Sequence, residues 1–190
     1  MEDRLSEVVG ALVSITEDVT SSFGSLTMEQ HNWKQSADSW SVAQCLEHLI
    51  LTADEFYPEF GNIISGNRKN TFWQSYSPFT RMSGRFLINA LKTDSKKVKA
   101  PSKTIVPPSI IDASIVERFE SEYADVIEKI RATAAADWKK TVVTSPLLRV
   151  MTYTVDDAYT ILVEHSRRHI RQAKRVMAAE GFPKREEQHA

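Results

Sequence analysis

The sequence predicts an all-α protein, a four-helix bundle with long crossover connections. Three observations carry this. Four long segments place apolar residues at spacings of three and four, strand-type alternation is almost missing, and a long irregular stretch separates the second segment from the third. The helices are expected at about 2–23, 41–66, 110–136 and 154–180, within one domain spanning residues 1–190.

The first helix follows from Leu5, Val8, Val9, Leu12, Ile15, Val19 and Phe23, which trace one face over about six turns. The second begins at Ser41, an N-cap with Gln44 at the capping-box position and Trp40 and Cys45 placed as a hydrophobic staple. Its stripe runs from Leu46 to Ile63, bends at Pro58, and ends by Gly66. A short helical pattern covers Phe79 to Leu91. Residues 93–109, basic and proline-rich, read as an extended connection whose lysines suit a solvated loop, and one of that length tends to be functional or mobile. Periodicity resumes from Ile111 to Ile130. A second loop around Pro146 leads to the last helix, with Thr154 as N-cap, Asp157 three later, and Gly181 and Pro183 as the stop.

Composition narrows the function classes. The 190 residues carry a net charge of −1, with 42% hydrophobic and 26% charged residues. No global field recruits nucleic acid or an acidic membrane. The opening stretch lacks the uninterrupted apolar region of a secretory leader, and no apolar run is long enough to span a bilayer. One cysteine, Cys45, rules out an internal disulfide framework and is compatible with a cytoplasmic location.

The chemistry concentrates in HSRRHIRQ, residues 165–172. At 100° per residue, His165, His169 and Gln172 share a stripe with Ala158, Leu162 and Val176. Arg167, Arg168, Arg171, Lys174 and Arg175 take the other side, where cations near a helix C-terminus suit its dipole. Imidazoles four apart on a helix can converge on one ion. The zincin reading fails because no glutamate follows His165. His48 lies on the shoulder of the second helix's stripe, and a bundle can bring it against the fourth helix. The residues alone leave two readings open: a three-histidine metal site with free coordination positions, or packed, hydrogen-bonded histidines. Cys45 reads as a small buried hydrophobe, although thiolate ligand or nucleophile stays open. His31 and His189 are expected to be solvated. Glu47, Asp54 and Glu55 read as solvated helix acids, and Glu164 points elsewhere on its helix.

WSVAQCLEHL, followed a hundred-odd residues later by HSRRHIRQ, resembles the DinB/YfiT-like superfamily. The resemblance covers nearly the whole chain in helix order and spacing. It implies a four-helix bundle, often dimeric, with nickel or zinc held by His48, His165 and His169. It also implies a metal-dependent enzyme of the thiol-dependent S-transferase or hydrolase type, acting on a low-molecular-weight thiol or another small molecule. Lys96, Lys97 and Lys99 would suit an anionic substrate at the site mouth. Gln172, one turn beyond His169 on the same stripe, reads either as an amide that orients a histidine ring or as a helix-packing amide. The alternative is a non-catalytic metal-binding or small-molecule-binding bundle.

Overall fold

The computed structural model describes residues 2–66, 78–93, 103–146 and 151–184. Its helices are α1 (Glu2–Phe23), α2 (Met28–Asn32), α3 (Val42–Asp54), α4 (Tyr57–Ile64), α5 (Pro78–Lys92), α6 (Ile115–Ala132) and α7 (Val155–Met177). Strands β1 (Val142–Thr144) and β2 (Thr152–Thr154) form an antiparallel pair in which Val143 faces Tyr153.

The bundle is built from α1, α3, α6 and α7. Helix α3 packs against both α6 and α7, and α1 packs against the same two. The successive long helices α1 and α3 therefore sit on a diagonal, which requires the crossover connections that the long loops supply. Leu12, Val19 and Phe23 of α1 meet Leu46 and Leu49 of α3, Ile115, Phe119 and Tyr123 of α6, and Ile170 and Ala173 of α7 in one buried core.

Local signals place the two helices that matter most. Ser41 accepts from the Gln44 amide at 3.1 Å while the Gln44 side chain returns to the Ser41 amide, so α3 starts on a complete capping box. Thr154 likewise accepts from the Asp157 amide at 3.1 Å and starts α7. Gly181, at φ +84°, follows the end of α7, and a side chain there would be strained.

Several expectations are corrected. The helix expected over 41–66 is two helices, α3 and α4, because Pro58 falls in the first turn of α4, where its missing N–H costs nothing. The helix expected from 110 begins only at Ile115. The Asn32 amide group holds both the N–H and the C=O of Ile111, removing that residue from any helical ladder. At its other end α6 stops at Ala132, where the Thr133 carbonyl accepts from the Trp138 indole at 3.1 Å. The short pattern after Phe79 is a full helix of 15 residues, α5, laid on α7 and β2. The loop around Pro146 contains the β1–β2 pair, and β2 is tied to α5 by the Ser83 hydroxyl donating to the Thr152 carbonyl at 2.5 Å.

Helix α5 approaches α7 through Gly84. A Cβ at Gly84 would lie 2.7 Å from Asp157 Oδ2 and 3.0 Å from Asp157 Cβ, whereas one at Gly10 would meet nothing within 4 Å. Gly84→Ala is therefore expected to destabilise by about 1–2 kcal/mol, overpacking outweighing the helix-propensity gain. Gly10→Ala, with the same propensity gain and no clash, should stabilise by up to about 1 kcal/mol. Urea unfolding of both variants checks the contrast in sign.

Candidate metal centre

The rotation of α7 determines what its histidines face. Ser166 is wholly buried, donating to the Leu162 carbonyl and hydrogen-bonded to the Tyr123 hydroxyl of α6 at 2.6 Å. With Ser166, Ile170 and Ala173 turned into the core, the neighbouring positions His165 and His169 lie at the edge of the buried face, half-buried, toward α3. The stripe expected to look inward is thus displaced, and the histidines mark its border.

There they meet His48, which is 4% exposed on α3. One ligand atom from each of His48, His165 and His169 lies within 4.8 Å of the others. The ring centroids are 5.1 Å apart for His48–His165 and 4.6 Å for each of the other two pairs. The structure brings together the three histidines named from the sequence.

The ring nitrogens have distinct roles. His48 Nδ1–H donates to the Ile105 carbonyl at 2.7 Å. That acceptor fixes the tautomer and leaves the His48 Nε2 lone pair facing His165 Nε2, 3.3 Å away. Tetrahedral bonds of about 2.0–2.1 Å to one ion would hold two nitrogens about 3.3 Å apart. His169 hydrogen-bonds with Gln172, yet its buried Nδ1 has no hydrogen-bond partner. A buried orphan of this kind is costly unless something else binds it. The His48–His165 spacing, the tautomer and the orphan atom are compatible with a metal ion.

The electrostatics agree. Burial is the largest influence on all three rings and favours their neutral forms. His165 is pushed down to about 3 by burial, aided by His48 and Arg168. His169 is held well below the usual imidazole range by burial, with His165, His48 and Arg168 adding to it. For His48 the hydrogen bond to Ile105 partly opposes the burial effect. The charges that act on His165 and His169 are thus ones that oppose protonation, and the neutral imidazole is the ligating form. Trp40 covers one side, its ring 4.8 Å from that of His48 and stacked at 5.7 Å on His169.

The other candidates lie elsewhere. Cys45 is fully buried outside the cluster, its thiol pushed up to about 12 by burial, which suits a core residue rather than a nucleophile. Glu47, expected to be solvated, is buried and paired with Arg118 of α6 at 2.9 Å. Glu164 pairs with Arg167 at 2.8 Å. His31, also expected to be solvated, is 2% exposed in α2 and bonded to the Phe23 carbonyl at 3.1 Å. Its capped pentapeptide helix turns it inward. Lys96, Lys97, Lys99 and His189 fall outside the described residues.

Three contributors were missed by sequence reasoning. Trp40, expected only as a staple, precedes the N-cap of α3, and its ring nonetheless reaches that of His48 at 4.8 Å, a contact that helical spacing does not state. Ile105 enters through a backbone carbonyl, which leaves no signature in side-chain pattern. Arg168, assigned to an outward face, reaches back to α5 and donates to the carbonyls of Ala90 at 3.0 Å and Thr93 at 3.3 Å. Satisfying the last carbonyls of a helix in this way is a common use of arginine.

A mostly helical protein whose second and fourth bundle helices carry three converging histidines forms a recognisable structural class. The chain belongs to the DinB superfamily, which it matches over residues 11–173. No curated protein and no solved structure matches it. Among the described residues, no helix is long and apolar enough to cross a membrane.

Proposed function

We propose that this DinB-superfamily chain is a divalent-metal-dependent enzyme of the thiol-dependent S-transferase or hydrolase type, with His48, His165 and His169 as its ligands. One observation carries the reading. Three neutral imidazoles converge within 4.8 Å, and no fourth His, Cys, Asp or Glu joins them among the described residues. A structural zinc site is ordinarily closed by four protein ligands, whereas a catalytic one keeps a position free. A divalent ion bound there supplies a Lewis acid that makes water or a thiol nucleophilic near neutral pH.

The chain's own residues do the rest. Ile105 holds His48 in one tautomer, Gln172 orients His169, and Trp40 shields the rings from water. Imidazole donors suit nickel or zinc. A low-molecular-weight thiol or a similar small molecule is the proposed substrate class, in a cytoplasmic homodimer.

The test is metal content by plasma mass spectrometry on untagged protein. About one equivalent of nickel or zinc is expected. It should be lost in both His48→Ala and His165→Ala, with helicity by circular dichroism retained. Thiol-transfer and hydrolase assays on the loaded protein would then follow. Absence of bound metal after incubation with zinc and with nickel would overturn the enzyme reading.

A further inference from the structure

We infer that residues 103–111 form a strap whose docking and the binding of metal at the three histidines are one linked equilibrium, joined through the Ile105 carbonyl and the His48 ring. The inference rests on the metal reading above and assigns Ile105 as a positioning residue for it.

The strap is held as a unit. Its first part is a short 3-10 turn, Lys103–Ile105, and the Ile105 side chain is 1% exposed. The Ile105 carbonyl accepts from His48. Farther along, the Pro108 carbonyl accepts from the Gln44 side chain at 2.9 Å. At the end, Asn32 of α2 grips Ile111 by both backbone groups, at 2.7 and 2.9 Å. Between these anchors Val106 and Ile110 stay exposed, at 50% and 71%. The strap is therefore seated through the buried side chains of Ile105, Pro107 and Ile111 and these few backbone anchors, with the residues between them exposed. Ordering the backbone opposes docking, so a segment held at separate points is sensitive to the strength of each anchor.

His48 ties that sensitivity to the metal. A cation drawing on the Nε2 lone pair withdraws electron density from the ring and makes the Nδ1–H a stronger donor to Ile105. The docked carbonyl in turn holds the ring with Nε2 toward His165, so the ligand need not be ordered when metal arrives. Linkage is reciprocal: if metal favours docking, docking favours metal by the same factor.

Hydrogen exchange followed by mass spectrometry, on the full chain with and without zinc, reads the first half. Zinc should slow exchange across 103–111 by about tenfold, and His165→Ala, which spares the His48–Ile105 bond, should abolish the effect. Zinc affinity, by competition with a chromophoric chelator, reads the second half. Ile105→Ala should weaken it by about tenfold while Ile105→Val retains it, and Asn32→Ala, remote from the histidines, should weaken it by about threefold. Should wild type fail to bind zinc, the metal reading falls and the linkage with it. Should zinc bind while exchange across 103–111 is unchanged and both Ile105→Ala and Asn32→Ala bind as wild type does, the linkage alone falls.

Discussion

Stripped of metal, the protein is expected to lose stability steadily as pH falls from about 6.5 toward 3, and His165→Gln should flatten that decline. His165 has a folded value of about 3 against an ordinary 6.5, with burial as the main cause. Below pH 6.5 the unfolded chain binds a proton that the folded chain refuses, so stability rises with pH through this window. The contribution is fully present above 6.5, shrinks as pH falls, and stops changing below about 3. Its slope is at most about 1.4 kcal/mol per pH unit for one such group. His169 and His48 are lowered as well and steepen the decline in wild type. Carboxylates act too: Glu122 and Asp54 are raised, mainly by burial, and Asp112 and Asp137 are lowered. Comparing wild type with His165→Gln cancels them. Urea midpoints of chelator-treated protein at pH 7, 6, 5 and 4.5 provide the measurement. Parallel slopes would mean that His165 takes up its proton as freely in the fold as outside it.

How much of this was legible depends on the range of the interaction concerned. The starts of α3 and α7 are written in four-residue windows, Ser41–Gln44 and Thr154–Asp157, and the capping box of the first and the N-cap of the second form as read. The His165/His169 pair needs only helical period. His48 is different, since its partnership depends on α3 lying against α7, which periodicity does not state and the family resemblance supplied. The exact rotation of α7 was out of reach because it turns on Ser166 meeting Tyr123, 43 positions away. The same holds for His48 with Ile105 and Arg168 with Ala90, where the acceptor is a backbone carbonyl that every residue possesses. Strands of three residues such as β1 and β2 are too short for a period to emerge. His31 misled for a related reason: five residues of polar sequence gave no hint that α2 folds it under the end of α1.

Zinc should raise the melting temperature of wild type and leave His169→Leu unmoved, although that variant is expected to be at least as stable as wild type without metal. At free zinc one hundred times its dissociation constant, a ligand that binds only the folded state adds about 2.7 kcal/mol. For a chain of 190 residues this corresponds to roughly 5–11 °C. The metal-free expectation follows from His169 itself. Its buried Nδ1 lacks a hydrogen-bond partner, and such an atom costs about 1–3 kcal/mol. Leucine removes that atom while keeping an apolar contact for Trp40, which stacks on the ring at 5.7 Å. A histidine kept for packing would behave in the opposite way: its loss would destabilise the metal-free protein, and zinc would shift variant and wild type alike. Differential scanning fluorimetry of both proteins, with chelator and with zinc, separates the two. A residue that weakens the empty fold and strengthens only the loaded one is held in place for what it binds.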